Sequence, residues 1–279
     1  MAARHQEEAL LRRPAERPVL MTAPTPIPLS VLIRTRNEAD RIAATIRSAL
    51  PLGAEIVVID AESTDDTVKI AESLGAKVFV HAWPGFGPQR YWGEERCSND
   101  FVFSLDADEI VTPDMAAEIR AVFAQGSPPR LMTIRKALVF PHQKRPPPLG
   151  FCHEQTLIYD RRVARTGSNP NWDKLDITVS DKPHLIREPL WHYSMRDWNH
   201  FTNKVNYVAQ LAADTQEKPR SRALLIARLA VEFPVTFVKF YLVRRYFLGG
   251  VEGFVMAVIS AFGRFLRIAK MIERMDHGK

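Results

Sequence analysis

From Leu29 onward, apolar residues recur in two alternating rhythms. Short β-branched runs, LSVLIRT, EIVVID, KVFVH and FVFSLD, are separated by segments 38–50 and 64–74, where the spacing of apolar positions is helical. That alternation predicts parallel strands joined by crossover helices. Local signals agree: Ser63-Thr64-Asp65-Asp66 offers caps and first-turn carboxylates, and Gly75 stands where the second helix should stop. Residues 126–189 are rich in proline and arginine, with strand-like pieces at 131–140 and 155–159. Beyond Trp191, helical patterns follow at 195–215, 220–248 and 253–274, the last two unusually apolar. Residues 1–28 follow neither rhythm and lack the apolar core of a signal peptide, so they read as a flexible arm. The expected plan is an arm at 1–28, an α/β domain at 29–190 with halves meeting near 125/126, and a helical extension at 191–279.

Composition narrows this plan only a little. With 46% hydrophobic and 25% charged residues, the chain of 279 residues is able to bury a large core. Cys97 and Cys152 are too few for a disulfide framework or a zinc site, which points to a reducing, cytoplasmic setting. The net charge of +6 and a pI near 9.4 favour an anionic partner: a nucleotide, a nucleic acid or an acidic membrane.

Ligands of open α/β sheets bind beyond the carboxyl ends of the strands. Here the first strand runs into Arg34-Thr35-Arg36-Asn37-Glu38, the second ends at Asp60 and the fourth at Asp106. Carboxylates converging on one crevice repel unless cations or hydrogen-bond donors compensate. The sharpest element is Ser104-Leu-Asp106-Ala-Asp108-Glu109, three carboxylates at the end of an apolar strand. Hard cations such as Mg²⁺ and Mn²⁺ take oxygen ligands and share them with substrate phosphates. Taken alone, Asp108 also suits a turn and helix cap before Pro113, and Asn37-Glu38 suits a cap.

The order LIRTRNE, EIVVIDAESTDDT and VFSLDADE resembles the inverting glycosyltransferases of family 2, closely over residues 29–123. The stretch from Gly75 through Trp83-Pro-Gly-Phe-Gly-Pro-Gln89-Arg90, with the later His192-Tyr-Ser-Met-Arg-Asp197, is similar to bacterial lipopolysaccharide core β-1,4-glucosyltransferases. The resemblance implies a GT-A fold, a Rossmann-like, mostly parallel sheet flanked by helices. It implies that Thr35, Arg36, Asn37, Glu38 and Asp60 cradle the nucleoside of a nucleotide-sugar donor, with Gln89 and Arg90 nearby. Asp106 would meet the nucleoside or metal-bound water, and Asp108 would ligate Mg²⁺ or Mn²⁺. An inverting transfer needs a base for the acceptor hydroxyl. Where those enzymes are expected to carry a His-Glu pair, this chain has Asn171-Trp172-Asp173-Lys174-Leu175, which makes Asp173 the candidate base and Glu154 its rival. Asn-Pro-Asn-Trp-Asp is also good turn chemistry. The implied donor is a UDP-sugar, with glucose foremost.

No run reaches the roughly 20 uninterrupted apolar residues that span a bilayer, since Arg228, Glu232 and Lys239 break the nearest one. Residues 217–279 carry twelve Lys and Arg against five Asp and Glu, interleaved with bulky apolar groups. This predicts helices lying on an anionic membrane through Arg244, Arg245, Arg264 and Arg267, at the inner face of the cell membrane. The acceptor implied is a glycolipid or lipopolysaccharide-core saccharide. No nucleic-acid motif accompanies the basic residues. A sugar nucleotidyltransferase would show a glycine-rich loop after the first strand, and Arg34 to Glu38 contains no glycine. A decayed nucleotide-sugar-binding scaffold is the remaining alternative, supported only by the altered Trp172-Asp173 motif.

Overall fold

In the computed structural model, which describes residues 24–215 and 221–277, the four β-branched runs lie side by side. They form β1 (Leu29–Thr35), β2 (Glu55–Asp60), β3 (Lys77–Val80) and β4 (Phe101–Asp106), paired in parallel. Two crossover helices, α1 (Ile42–Ala49) and α2 (Thr67–Ser73), are shorter than the patterns at 38–50 and 64–74. The missing first turns are loops, because Asn37 takes a left-handed φ of 54° and polar side chains there bond across the loops. A third helix, α3 (Phe86–Glu94), has no counterpart in the sequence reading. Its opening Phe-Gly-Pro-Gln reads as a loop, yet Pro88 falls in the first turn, where a backbone N–H is not needed.

Four further strands complete the sheet, β5 (Glu109–Ile110), β6 (Leu131–Leu138), β7 (Cys152–Asp160) and β10 (His184–His192), with helix α4 (Pro113–Ala124) between β5 and β6. The strand order is β3-β2-β1-β4-β7-β6-β10-β5. Only β7 and β5 run against their neighbours, so the sheet is mostly parallel, as expected. Thr112 caps α4 through its hydroxyl. Between β7 and β10, β8 (Ala164–Thr166) and β9 (Leu175–Ile177) form a separate two-stranded ribbon. The sequence reading missed β10 because it contains Pro189. That proline sits where the β6–β10 register shifts, the one kind of strand position that tolerates it.

The pleat sends Leu29, Val31 and Ile33 to one face and Leu32 to the other. The first face packs on α1 and α4 through Ile42, Ile46, Met115 and Ile119. The second packs with Val57, Ile59, Val102 and Tyr159. A sheet covered on both faces explains why β1 is apolar almost throughout.

Residues 1–23 of the expected arm lie outside the described residues. Residues 24–28, also assigned to it, are held instead: Arg120 donates to the Thr25 carbonyl and Ile27 packs on the main core. The helical extension comprises α5 (Trp198–Asp214), α6 (Arg222–Val238) and α7 (Gly250–His277). The pattern at 220–248 is not one helix. It ends at Val238, passes through a five-residue π turn (Lys239–Val243), and breaks at Arg245, where φ is 56°. The extension docks on Phe140, which packs with Met195, Tyr246, Met256 and Ala257. Gly249 permits this, because a Cβ there would lie 2.7 Å from the Phe140 ring. Although no run of 20 apolar residues is uninterrupted, the helical stretch Tyr246–Asp276 is by length and composition apolar enough to cross a membrane, with a mean hydropathy of 1.5 over an 18-residue window. Its uncharged interval between Glu252 and Arg264 is filled by small, aliphatic and aromatic residues. About 39% of the 18-residue window is buried against the rest of the protein.

At the sheet's amino end, Glu55 accepts from Ser30, Lys77 and Ser98. Burial opposes its ionisation, but these donors prevail and hold the carboxyl at about 2. A depressed carboxylate stabilises the fold above its unfolded pKa and loses that contribution as pH falls. Glu55→Gln should therefore destabilise the protein by about 1–2 kcal/mol at pH 7, a figure reduced for the exposed Lys77 end. In denaturant titrations the gap between the two proteins should close between about pH 5 and pH 2; a pH-independent gap would contradict this account.

Candidate active site

The polar strand ends converge as the parallel sheet requires. Asp106, the last residue of β4, lies beside Arg34 of β1, and a single network ties them to residues far away in the chain. Arg34 approaches Asp106 at 2.8 Å and Asp173 at 2.9 Å. Arg90, from α3, reaches the same two carboxylates at 3.2 and 3.1 Å. Lys136 of β6 stands 3.8 Å from Asp106 and 2.5 Å from Glu109. At such separations the Coulombic attraction of an opposite-charge pair, before desolvation, is about 4–7 kcal/mol at an effective dielectric near 20, which opposes the repulsion between carboxylates. Burial would raise the Asp106 carboxyl, yet Arg34, Lys136 and Arg90 together hold it well below the usual range.

A second group lies next to the first. Asp108, Glu109 and His192 place one possible ligand atom each within 4.8 Å of one another. His192 ends β10 and pairs in register with Glu109 of β5. Its Nε2 is 3.5 Å from Asp108, which stays below the ordinary carboxylate range because the His192 hydrogen bond and charge outweigh burial. Burial drives Glu109 the other way, above its usual range, even with Lys136 beside it. Glu109 also accepts from the Asp106 N–H, so its oxygens are already engaged and Asp108 and His192 are the more available pair. A carboxylate suits Mg²⁺ or Mn²⁺, and the imidazole beside it is a ligand more usual for transition metals.

Both groups open on a cavity of about 350 Å³. Among the expected donor-site residues, Thr35, Arg36, Glu38, Gln89, Asp106 and Asp108 line it. Asp60 and Arg90 are buried behind the wall, and Asn37 is exposed outside it. Asp60 is fully buried, and both of its oxygens accept from Ser63. Asn37 accepts from the Thr64 N–H, so these two residues stitch the β1 and β2 loops together. Glu38 is held by Arg41 and Arg196, and Gln89 by His81. The buried atoms that lack a hydrogen-bond partner among the described residues include Thr35 Oγ1 and the Nε atoms of Arg34 and Arg90. Sequence reasoning assigned no role to Arg34, Lys136 or His192. The strand-end rule that selected Asp106 applies equally to Arg34 and His192, but Pro189 hid the strand that delivers His192.

Asp173 arrives on the loop following β8. Buried Glu94 anchors the base of that ribbon, accepting from the Tyr159 hydroxyl and from the Thr166 N–H and hydroxyl. The loop is then sewn to the start of α3: the Phe86 N–H donates to the Pro170 carbonyl and the Gly87 N–H to that of Asn169. At Gly87 a Cβ would lie 2.3 Å from the Gly167 carbonyl oxygen, so only glycine fits. Glu154 is elsewhere. It faces Arg135 across the β6–β7 ladder and lines a different cavity with Arg135 and Arg245. The four arginines expected on a membrane surface also separate. Arg244 lies between the Phe151 and Phe240 rings, at 4.7 and 4.5 Å, rather than on the outer face. Arg245 is exposed and donates to the Leu149 carbonyl, Arg264 pairs with Glu232, and Arg264 and Arg267 line a groove between α5 and α7.

Gly87→Ala should leave the sheet intact while pushing the Asp173 loop off α3. Amide exchange over residues 167–174 should then accelerate by about tenfold or more; exchange at the native rate would mean that the loop is fixed by other contacts.

Residues 30–135 match the family model for glycosyl transferase family 2. An uncharacterized glycosyltransferase of Rickettsia felis is 35% identical over 260 residues, covering 90% of this chain and 92% of that protein. The lipopolysaccharide core biosynthesis glycosyltransferase LpsC of Rhizobium meliloti is 24% identical over 265 residues, 89% of this chain and 93% of LpsC. Among solved structures, glucosyl-3-phosphoglycerate synthase of Mycobacterium tuberculosis, in complex with Mn²⁺, UDP and glucosyl-3-phosphoglycerate, is 26% identical with a TM-score of 0.33. That match covers 40% of this chain and 44% of the synthase. Similarity to the Rickettsia protein along nearly the whole of both chains, with the family match across the strands that build the site, makes this chain a glycosyltransferase of family 2.

Proposed function

We propose that the protein is a metal-dependent, inverting hexosyltransferase that moves a sugar, glucose foremost, from a UDP-sugar to a lipid-linked or lipopolysaccharide-core saccharide. The observation that carries this reading is one cavity where Asp108 and His192 meet the Arg34–Arg90–Asp106–Asp173 network. Similarity to LpsC supports the class of acceptor. The UDP-sugar follows from the resemblance of residues 29–123 to family 2.

In this reading Thr35, Arg36 and Glu38 contact the nucleoside, while Asn37 and Asp60 hold their loop in shape, Asp60 meeting the base when Ser63 turns aside. The partnerless donors of Thr35 and Arg34 face the diphosphate, Arg90 lends its charge from behind the wall, and Gln89 flanks the diphosphate. Asp108 and His192 hold Mg²⁺ or Mn²⁺, which neutralises charge developing on the leaving nucleoside diphosphate. Asp173 is the base. Both of its arginine contacts use Oδ2, leaving Oδ1 to take the acceptor hydroxyl proton. The acceptor oxygen then bonds to the anomeric carbon as the bond from that carbon to the phosphate oxygen breaks on the opposite face. Glu154 lines another cavity, which favours Asp173.

The helical extension is the proposed attachment to the inner face of the cell membrane. Val235, Leu242, Val243 and Val251 are 55–75% exposed, an uncommon density of bulky apolar groups on a protein surface. Arg245 and Arg264, both exposed, and Arg267 supply cations for anionic headgroups.

Calorimetry with UDP and UDP-sugars, with Mn²⁺ and with chelator, tests the donor site. Metal-dependent binding should weaken about a hundredfold in Asp108→Ala; binding indifferent to both metal and substitution rules the site out. Asp173→Asn should lower kcat by about 10²–10⁴ with UDP affinity nearly unchanged, and full activity in that variant would remove Asp173 as base. For attachment, Arg→Glu changes at Arg245, Arg264 and Arg267 together should reduce affinity for phosphatidylserine vesicles by about a hundredfold. Equal co-sedimentation of the variant and the natural protein would refute membrane attachment through these residues.

A further inference from the structure

A second cavity, of about 490 Å³, adjoins the first and shares His192 with it. One wall is the carboxyl end of the sheet, where Lys136 of β6 stands opposite His153 of β7. The other wall belongs to the helical extension, through Phe240, Arg244, Tyr246 and neighbours. Lys136, His153, His192 and Arg244 all line it, and no Asp or Glu does.

The four basic groups are not equivalent. Lys136 is matched by Glu109 and His192 by Asp108. Arg244 and His153 have no carboxylate within ion-pair distance among the described residues. Arg244 is instead fixed between the rings of Phe151 and Phe240, contacts that orient a guanidinium without neutralising it. The surplus positive field is felt within the cavity: His153 is pushed below the usual imidazole range by burial and then by Lys136, Arg244 and His192. A guanidinium held by aromatic faces beside the Tyr246 hydroxyl, with no carboxylate paired to it among the described residues, is suited to a phosphate or carboxylate oxygen pair. The surrounding rings also offer flat apolar faces to a sugar.

On the strength of the proposed donor site, we infer that this second cavity receives the acceptor and selects a saccharide bearing a phosphate or carboxylate, with Arg244 as the specificity-determining contact. Because His192 borders both cavities, an acceptor seated here presents its hydroxyl toward the donor. The helical extension then serves as half of the acceptor site as well as a membrane surface.

The test uses the full chain saturated with UDP and Mn²⁺, titrated with methyl glucoside, methyl glucoside 6-phosphate and methyl glucuronide. Both charged glycosides, or one of them, should bind about tenfold or more tightly than the neutral one, and the preferred member identifies phosphate or carboxylate as the anion. Arg244→Gln should abolish the preference and Arg244→Lys should restore part of it, with UDP affinity preserved in both as the check on folding. Equal binding of neutral and charged glycosides, absence of glycoside binding, or a preference that survives Arg244→Gln would each overturn the inference. Loss of UDP binding by the natural protein would instead strike the donor site, so the two readings fail separately.

Discussion

Two carboxylates, Asp106 and Asp173, share two arginines, and the catalytic half of the molecule is arranged around that exchange of charge. Asp106 belongs to the sheet and Asp173 to a loop 67 residues further on. Neither tolerates the other's proximity without Arg34 and Arg90. Removing a carboxylate from this network leaves the largely buried Arg34 and Arg90 uncompensated, whereas the partly exposed carboxylates are screened by solvent. The network is thus a structural lock on the loop as well as an electrostatic floor for the cavity at the strand ends. Glu94 and Gly87 act in the same direction from further back, one by anchoring the ribbon and the other by letting two backbones touch.

Much of the α/β half was legible from the chain. β1, β2 and β4 have the limits that their β-branched runs suggest, because strands covered on both faces admit few polar residues. Asp106 and Asp108 were found by the strand-end rule, which depends only on parallel topology. The misses have physical causes. Proline in β10 and glycine with proline at the start of α3 carry local preferences that tertiary pairing overrode, at a bulge in one case and in a first helical turn in the other. The partners of Asp173 were beyond reach, since a contact between positions 34 and 173 leaves no local signature. The extension was legible as helix but not in its break at Arg245, where a left-handed residue ends an apolar pattern that itself continues.

Local electrostatics also divides the site into two regimes. Around Asp106, Arg34, Lys136 and Arg90 prevail over burial and hold the carboxyl well below its usual range. Around Glu109, burial prevails and the carboxyl gains affinity for a proton despite Lys136. These opposite outcomes arise three residues apart in the chain, because Asp106 is reached by Arg34, Arg90 and Lys136, whereas Glu109 is shielded behind them.

The joint at Phe140 bears on how such a chain can be altered. Gly249 yields space to the Phe140 ring just beyond β6, and within the extension a Cβ on Gly253 would collide with the Tyr246 carbonyl, so the seam at Phe140 is fitted closely by shape. Sheet and helices are therefore not interchangeable cassettes. A recombinant that took its sheet from one relative and its helices from another would inherit a mismatched seam, and with it a second cavity whose two walls had never been selected together.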